Sequence, residues 1–255
     1  MRAQSKGNRS VLGWQCAIGF ALLVGWEAAG RLTGSSWISQ PSLVALRLGD
    51  WLSGELWRHL WTTLLEMFAG LAIGVSAGSL AGLWLGRSPV IATILRPMIL
   101  AVYSVPLISL APLLILWFGI DMAPKIVLVT LLVFFILFFN TYSGVRAVDA
   151  DLIASMQLMG AAPRELFLKI VLPACMAWIL SGIRTALPYA LIGAILGEML
   201  AARQGMGFLL TRAASQFDMT SLYAAFVVLM AVGISMSQLF VRIESRALRW
   251  RHATA

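Results

Sequence analysis

Residues Asp149 to Pro173 read Asp-Ala-Asp-Leu-Ile-Ala-Ser-Met-Gln-Leu-Met-Gly-Ala-Ala-Pro-Arg-Glu-Leu-Phe-Leu-Lys-Ile-Val-Leu-Pro. They form the one long polar interruption in an otherwise apolar chain. Asp149 or Asp151 can cap a helix, and Leu152, Ile153, Met156 and Met159 recur at helical spacing. Gly160 then suits the left-handed residue that stops a helix. The pattern predicts a helix of about two turns. Pro163 fits the first position of a second short helix, Arg164 to Val171, and Pro173 restricts Leu172 and predicts a bend into the next apolar run. The result is a helix-turn-helix elbow outside the membrane. A helix this short is marginal alone, so its Leu and Met face needs cover, for which the lipid surface or its own bundle would serve.

The rest of the chain sets that elbow in a membrane. Of 255 residues 60% are hydrophobic and only 12% are charged, too apolar for a soluble domain. A bilayer-spanning helix needs about 20 apolar residues. The charge-poor runs predict six: 11–33, 62–86, 91–119, 123–145, 174–200 and 219–242. They leave a tail at 1–10, an outer amphipathic segment at 42–61, the elbow at 149–173 and a tail at 243–255, all in one transmembrane domain. Ala28-Ala29-Gly30 after the first run imitates a signal-peptide end, but losing that run would reverse the charge argument, so it is read as a retained span.

The net charge of +8 is a matter of topology and does not point to nucleic acid. With the N-terminus in the cytoplasm, six spans leave Arg31, Arg47, Arg58, Lys125, Arg203 and Arg212 on or near the outer side and the other thirteen Lys and Arg inside. The elbow then lies in the cytoplasm, and anionic membrane lipid is the partner expected for the basic excess. Cys16 and Cys175 fall at cytoplasmic ends, where a disulfide is not expected.

The second span carries Gly70, Gly74, Gly78, Gly82 and Gly86 every four residues, a stripe that lets another helix approach closely and predicts a packed position. In the third, Pro97, Pro106 and Pro112 interrupt the helix, as in a cavity or pore lining or in a buried kinked helix. Glu27, Glu66, Arg184 and Glu198 lie in or at the ends of spans. An unpaired charge at mid-bilayer costs about 2.5–3.5 kcal/mol, so each is expected to be paired, wet or interfacial, Glu66 and Glu198 at the outer interface. His59 is also expected at that interface. Ser104, Pro106, Ser109, Asn140, Tyr189 and Glu198 are the candidates for a substrate path, although such polar groups also serve as helix-helix contacts.

Gly160, followed by Ile170-Val171-Leu172-Pro173 with Pro173 thirteen positions on, resembles the cytoplasmic loop signature of bacterial ABC importer permeases. The Glu-Ala-Ala positions of that signature are Ala154, Ser155 and Met156 here, so the acid is missing. A second stretch, Pro106 to Gly119, resembles the Pro-x-x-x-Leu-Ala-Pro-Leu-x-x-x-Trp-Phe-Gly segment of the nitrate, sulfonate and taurine branch. Thr63 to Glu66, Gly197-Glu198-Met199, Gly205 to Phe208, Phe217-Asp218 and the basic tail near Glu244 to Trp250 extend the resemblance over roughly residues 40 to 250.

The resemblance implies an all-α membrane protein of the type I importer kind. It has six transmembrane helices and a cytoplasmic coupling-helix elbow between the fourth and fifth, in the bacterial cytoplasmic (inner) membrane. It implies that Asp151, Leu152, Ala154, Ser155, Met156, Gly160, Ala161 and Pro173 form the ATPase-coupling element. The implied partners are a second permease copy, two ATP-binding cassette subunits and an extracytoplasmic solute-binding protein. The implied cargo is a small solute, nitrate-, sulfonate- or taurine-like or another small organic molecule, moved inward by alternating access.

No Gly-x-x-x-x-Gly-Lys-Ser/Thr occurs among Lys6, Lys125 and Lys169, so no cofactor is expected in this chain, and ATP and Mg would be bound by the partner ATPase. An ion-coupled secondary transporter is the alternative; it would leave the elbow unexplained. Two His and two Cys, with no metal-ligand or nucleophile-base cluster, argue against a membrane enzyme.

Overall fold

The apolar runs fold as helices in a computed structural model that describes residues 2–34 and 37–247. In chain order these are α1 (Arg2–Thr33), α2 (Pro41–Leu52), α3 (Leu56–Arg87), α4 (Pro89–Tyr103), a 3-10 turn (Leu107–Leu110), α5 (Ala111–Phe118) and α6 (Met122–Arg146). They are followed by α7 (Ala150–Leu158), α8 (Pro163–Leu166), a π turn (Phe167–Val171), α9 (Leu172–Ala201), α10 (Met206–Ser215) and α11 (Met219–Ala247). Among the described residues five helical segments are long and apolar enough to cross a membrane, within α1, α3, α6, α8 through α9, and α11. The pair 90–103 and 107–118 is bent by 73° at its break, and counted as one broken span it makes six.

Four boundaries differ from the sequence reading, each for a local reason. The segment expected at 42–61 is two pieces, because Ser53 and Gly54 end α2; Trp57, Arg58, His59 and Trp61 belong to α3. The third span is not one helix over 91–119. Pro97 is absorbed inside α4, whereas Pro106 sits extended at ψ 97° and produces the bend. Pro173 does not bend the chain. The π turn places an i to i+5 bond from the Leu172 N–H to the Phe167 carbonyl just before it, and the helix runs on through α9. The expected tails are largely helical: α1 covers 2–10 and α11 extends to Ala247, while Trp250 and the rest of the basic tail lie outside the described residues.

The chain divides into two compact units. Residues 1–58 with 209–229 form one. In it Glu27 accepts from Arg31 (2.9 Å) and from the Ser42 N–H (3.2 Å) and hydroxyl (3.0 Å), which ties α1 to the start of α2. Trp26 packs on Tyr223 at 5.4 Å, and Ser39 and Thr220 share a 2.9 Å hydrogen bond. Asp218 caps α11 by accepting from the Ser221 N–H (3.0 Å) and hydroxyl (2.6 Å).

Residues 59–208 with 230–255 form the other unit, which is built around α6. The glycine stripe of α3 lies on it. A Cβ at Gly70 or Gly74 would come within 2.5 or 2.7 Å of Val129 or Val133, and one at Gly78 within 2.5 Å of the Phe134 carbonyl. On α9, Gly182 meets Asn140, Gly193 meets Leu132 and Gly197 meets Lys125. Lipid tails are as apolar as Leu, so this association comes from close backbone approach and dispersion. Met67, Val129, Val133, Leu137, Ala186 and Ala190 form the centre of the unit, with Met236 and Phe240 of α11 against them. Arg184, expected to turn inward or pair, is 3.7 Å from Glu244.

Candidate functional site

At the elbow the Asp149 carboxylate accepts from the Asp151 N–H at 2.8 Å, so Asp149 is the cap and Asp151 lies in the first turn of α7. The far end closes as a Schellman motif: the Ala161 N–H bonds the Met156 carbonyl (3.0 Å) and the Gly160 N–H bonds that of Gln157 (2.9 Å). Gly160 has φ +82°, the left-handed conformation assigned to it from sequence. Glu165 then accepts from the Ala162 N–H (3.2 Å) and from Lys169 (2.8 Å), fixing the start of α8.

The elbow is held rigidly, yet its outer face is uncovered. Leu152 is 49% exposed, Leu158 90% and Met159 83%. Ala154 and Ser155 are exposed and Met156 is half-buried. The sequence reading omitted Leu158, the most exposed of these apolar side chains. Its helical position relative to Asp151, Leu152 and Ser155 was the available signal.

At the opposite end of α9 the structure brings together residues that the sequence reading kept apart. Lys125, at the start of α6, is buried and paired with Glu66 of α3, itself wholly buried. Glu198, on α9, is also buried, next to Gly197, which packs on Lys125. Glu198 Oε1 accepts from the Thr63 hydroxyl and Oε2 from the Gly207 N–H, both at 2.7 Å. Thr63 Oγ1 accepts from the Met206 N–H at 2.8 Å, and His59 Nδ1 from the Gly205 N–H at 3.0 Å. The turn at Gly205 to Gly207 is thereby clasped onto α3 and α9.

Glu66, Glu198 and His59 are therefore buried rather than interfacial: Lys125 pairs with Glu66, Thr63 and Gly207 donate to Glu198, and the Gly205 N–H donates to His59, partners that lipid cannot supply. Gly205 is required on two counts: its φ is +119°, and a Cβ there would fall 2.2 Å from the Glu198 carboxyl. Lys125 was missed because its partner Glu66 lies on another helix, 59 positions away in the chain. Beside the clasp a cavity of 410 Å³ is lined by Thr62, Glu66, Asp121, Lys125, Arg203 and Gln204.

The remaining path candidates are not brought into one cluster. Ser104 Oγ donates to the Leu100 carbonyl (2.8 Å) and Ser109 Oγ to that of Pro106 (2.6 Å), so both hydroxyls satisfy backbone at the bend. Pro106, Ser104 and Ser109 are exposed there. Asn140 Nδ2 donates to the Ile136 carbonyl at 2.9 Å beside Gly182, a helix-helix position. Tyr189 is 49% exposed. Among the described residues no group of three or more His, Cys, Asp or Glu could hold a metal.

Residues 74–250 match the family model described as binding-protein-dependent transport system inner membrane component. The chain is 32% identical to the formylaminopyrimidine transport permease protein ThiX of Halalkalibacterium halodurans, over 90% of this chain and 92% of that one. It is 30% identical to SsuC of Bacillus subtilis, named as an aliphatic sulfonates transport permease protein, over 98% and 92%. Its fold is similar to a chain of the inward-facing MetNI methionine ABC transporter, with TM-score 0.65, 20% identity, and coverage of 74% and 94%.

Proposed function

The chain belongs to the binding-protein-dependent transport system inner membrane components, the multi-pass permease subunits of ABC importers, and from that premise we propose how its elbow and bundle work. We propose that α7 is the docking element for a separate ATP-binding cassette subunit, which holds ATP and Mg. One observation carries this reading: a two-ended, capped short helix presents Leu152, Leu158 and Met159 to the outside. Apolar side chains on a rigid extramembranous helix fit a groove in a partner. Loss of the signature acid at Ala154 leaves docking to apolar contact, with Asp151, Ser155, Gly160 and Ala161 shaping the helix ends.

In this reading two copies of the chain assemble with two ATPase subunits and receive solute from an extracytoplasmic binding protein. The cargo is a small organic solute of the sulfonate or pyrimidine kind, in keeping with the relatives' names, although nitrate- and taurine-like solutes belong to the same proposal. Displacing the elbow moves α8 and α9 as one body, because the π turn joins them without a break. The bend at Pro106, with Ser104 and Ser109 beside it, and exposed Tyr189 are the places where the path would open. ATP binding would bias one of two bundle arrangements.

The test is co-purification of the ATPase subunit with Leu158→Asp and Met159→Asp permease, beside wild type and Arg246→Ala. Loss of the ATPase from both acidic variants, with the permease still folded, is expected. Retention of the ATPase and of full solute uptake would overturn the assignment of α7.

A further inference from the structure

The cytoplasmic ends of α3 and α6 meet the inner side of the elbow around a groove of 560 Å³. Its lining is of two kinds. Ile153, Leu166, Phe167 and Val171 are apolar, while Arg87 and Arg146 end their helices beside them. Arg87 lies over the Phe167 ring, 4.2 Å from its centroid. A guanidinium over a ring face keeps its N–H donors, which can take an oxyanion bidentately. Among the described residues neither Arg87 nor Arg146 pairs with an acid, and of the exposed cations without an acid partner these two are the ones that line the groove.

We propose that this groove binds one anionic phospholipid, its phosphate between Arg87 and Arg146 and its glycerol and first chain carbons against Ile153, Leu166, Phe167 and Val171. Three observations select lipid. Both arginines sit at the ends of spans, at the depth of the cytoplasmic headgroups, where basic pockets between helices take acidic lipids. The lining combines positive charge with an apolar floor, which complements a lipid and not a free anion. The groove is also on a different side of α7 from the docking face: Ala150, Ile153 and Gln157 line it at spacings of three and four, whereas Leu152, Leu158 and Met159 are exposed elsewhere. Such a lipid would wedge the elbow against the bundle and stiffen the link between α7 and α9. The proposal rests on the membrane orientation and not on the identity of what docks on α7.

The experiment is native mass spectrometry of the delipidated full-length chain titrated with phosphatidylglycerol, with phosphatidylethanolamine of the same chains, or with inorganic phosphate. Wild type and the charge-matched control Arg242→Gln/Arg246→Gln should each hold one phosphatidylglycerol. Arg146→Gln should weaken retention about five-fold and Arg87→Gln/Arg146→Gln about twenty-five-fold. Helix content and melting temperature are read alongside. Arg146→Gln removes no hydrogen bond or ion pair seen among the described residues, so it decides the matter even where the double variant is unstable. Equal retention by Arg146→Gln and wild type would overturn the proposal, as would equal retention of the two lipids. Competition by millimolar inorganic phosphate would reassign the site to a free anion, and displacement of the lipid by added ATPase subunit would reassign it to that partner.

Discussion

Glu198 shows what one buried acid is doing in this fold. Its two oxygens take the Thr63 hydroxyl and the Gly207 N–H, so Glu198→Ala would remove the carboxylate acceptor of Gly207, leave Thr63 only the longer bond to the His59 carbonyl, and put the Lys125–Glu66 pair beside a hole. Removing one member of a buried charge network costs about 3–5 kcal/mol. Glu198→Gln should be far milder for a geometric reason. Its amide oxygen can accept from Gly207 while its NH2 donates to Thr63 Oγ1, which then turns its proton to the His59 carbonyl 3.2 Å away. The expected order of melting temperature in detergent is wild type, then Gln, then Ala well below; equal loss in Gln and Ala would show that the charge itself, and not the hydrogen bonds, holds the clasp. Gly160 is a simpler case, with open space around it but φ +82°. Gly160→Val should cost about 1–2 kcal/mol from left-handed strain alone, and Gly160→Asn, which tolerates that region, should be nearly silent in ATPase co-purification and in stability. Gly160 was legible from sequence because its role is local. Lys125 was not, because its partner lies 59 positions away and only the packing of α3 on α6 brings the two together.

Among whole elements, legibility follows the same division between local and non-local causes. The cap at Asp149, the stop at Gly160 and the start at Pro163 are dictated within a few residues, and the structure places α7 and α8 accordingly. The π turn was invisible, since it is not a propensity but the way a continuous helix accommodates Pro173. Its consequence can be tested. If α8, the π turn and α9 move as one body, inserting two glycines between Val171 and Leu172 should uncouple them. The ATPase would remain bound to α7 but its hydrolysis would no longer respond to solute and binding protein. Retained stimulation would mean that the elbow acts through some other connection. At α11 the helix start depends on Asp218. Burial would raise its carboxyl, yet hydrogen bonds from Ser221 and the nearby Arg47 guanidinium hold it below the ordinary aspartate value. A carboxyl whose folded value is depressed adds stability that is full above its unfolded value, about 4, and is lost as pH falls through the folded one. Asp218→Ala should therefore speed amide exchange in the first turn of α11 at pH 7, and the difference from wild type should shrink below about pH 4.

For the whole molecule the useful measure is the length of α9. Its 30 residues span about 45 Å at 1.5 Å per residue, more than the roughly 30 Å of bilayer hydrocarbon. The elbow that leads into α9 and the clasp at Glu198 near its far end must therefore face opposite compartments. Charge decides which is which. Arg87, Arg146, Arg164 and Lys169 gather at the elbow end of the spans, against Arg58 at the start of α3 with Lys125 and Arg203 at the clasp end, and Lys125 is neutralised by Glu66. The positive-inside tendency predicts the cation-rich end in the cytoplasm. The orientation is a prediction from sequence, because span lengths and cation counts need no tertiary knowledge; the Glu66, Lys125 and Glu198 cluster did need it. The orientation predicts that Ser155→Cys, exposed on α7, reacts with a membrane-impermeant maleimide only in inside-out vesicles, whereas Gln204→Cys, exposed in the turn after α9, reacts only in right-side-out cells. Both substitutions are at exposed positions, so a silent site cannot be put down to burial. Labelling of Ser155→Cys from outside would invert the molecule, place the basic groove at Arg87 and Arg146 away from the cytoplasmic leaflet, and remove together the grounds for ATPase docking on α7 and for the lipid bound behind it.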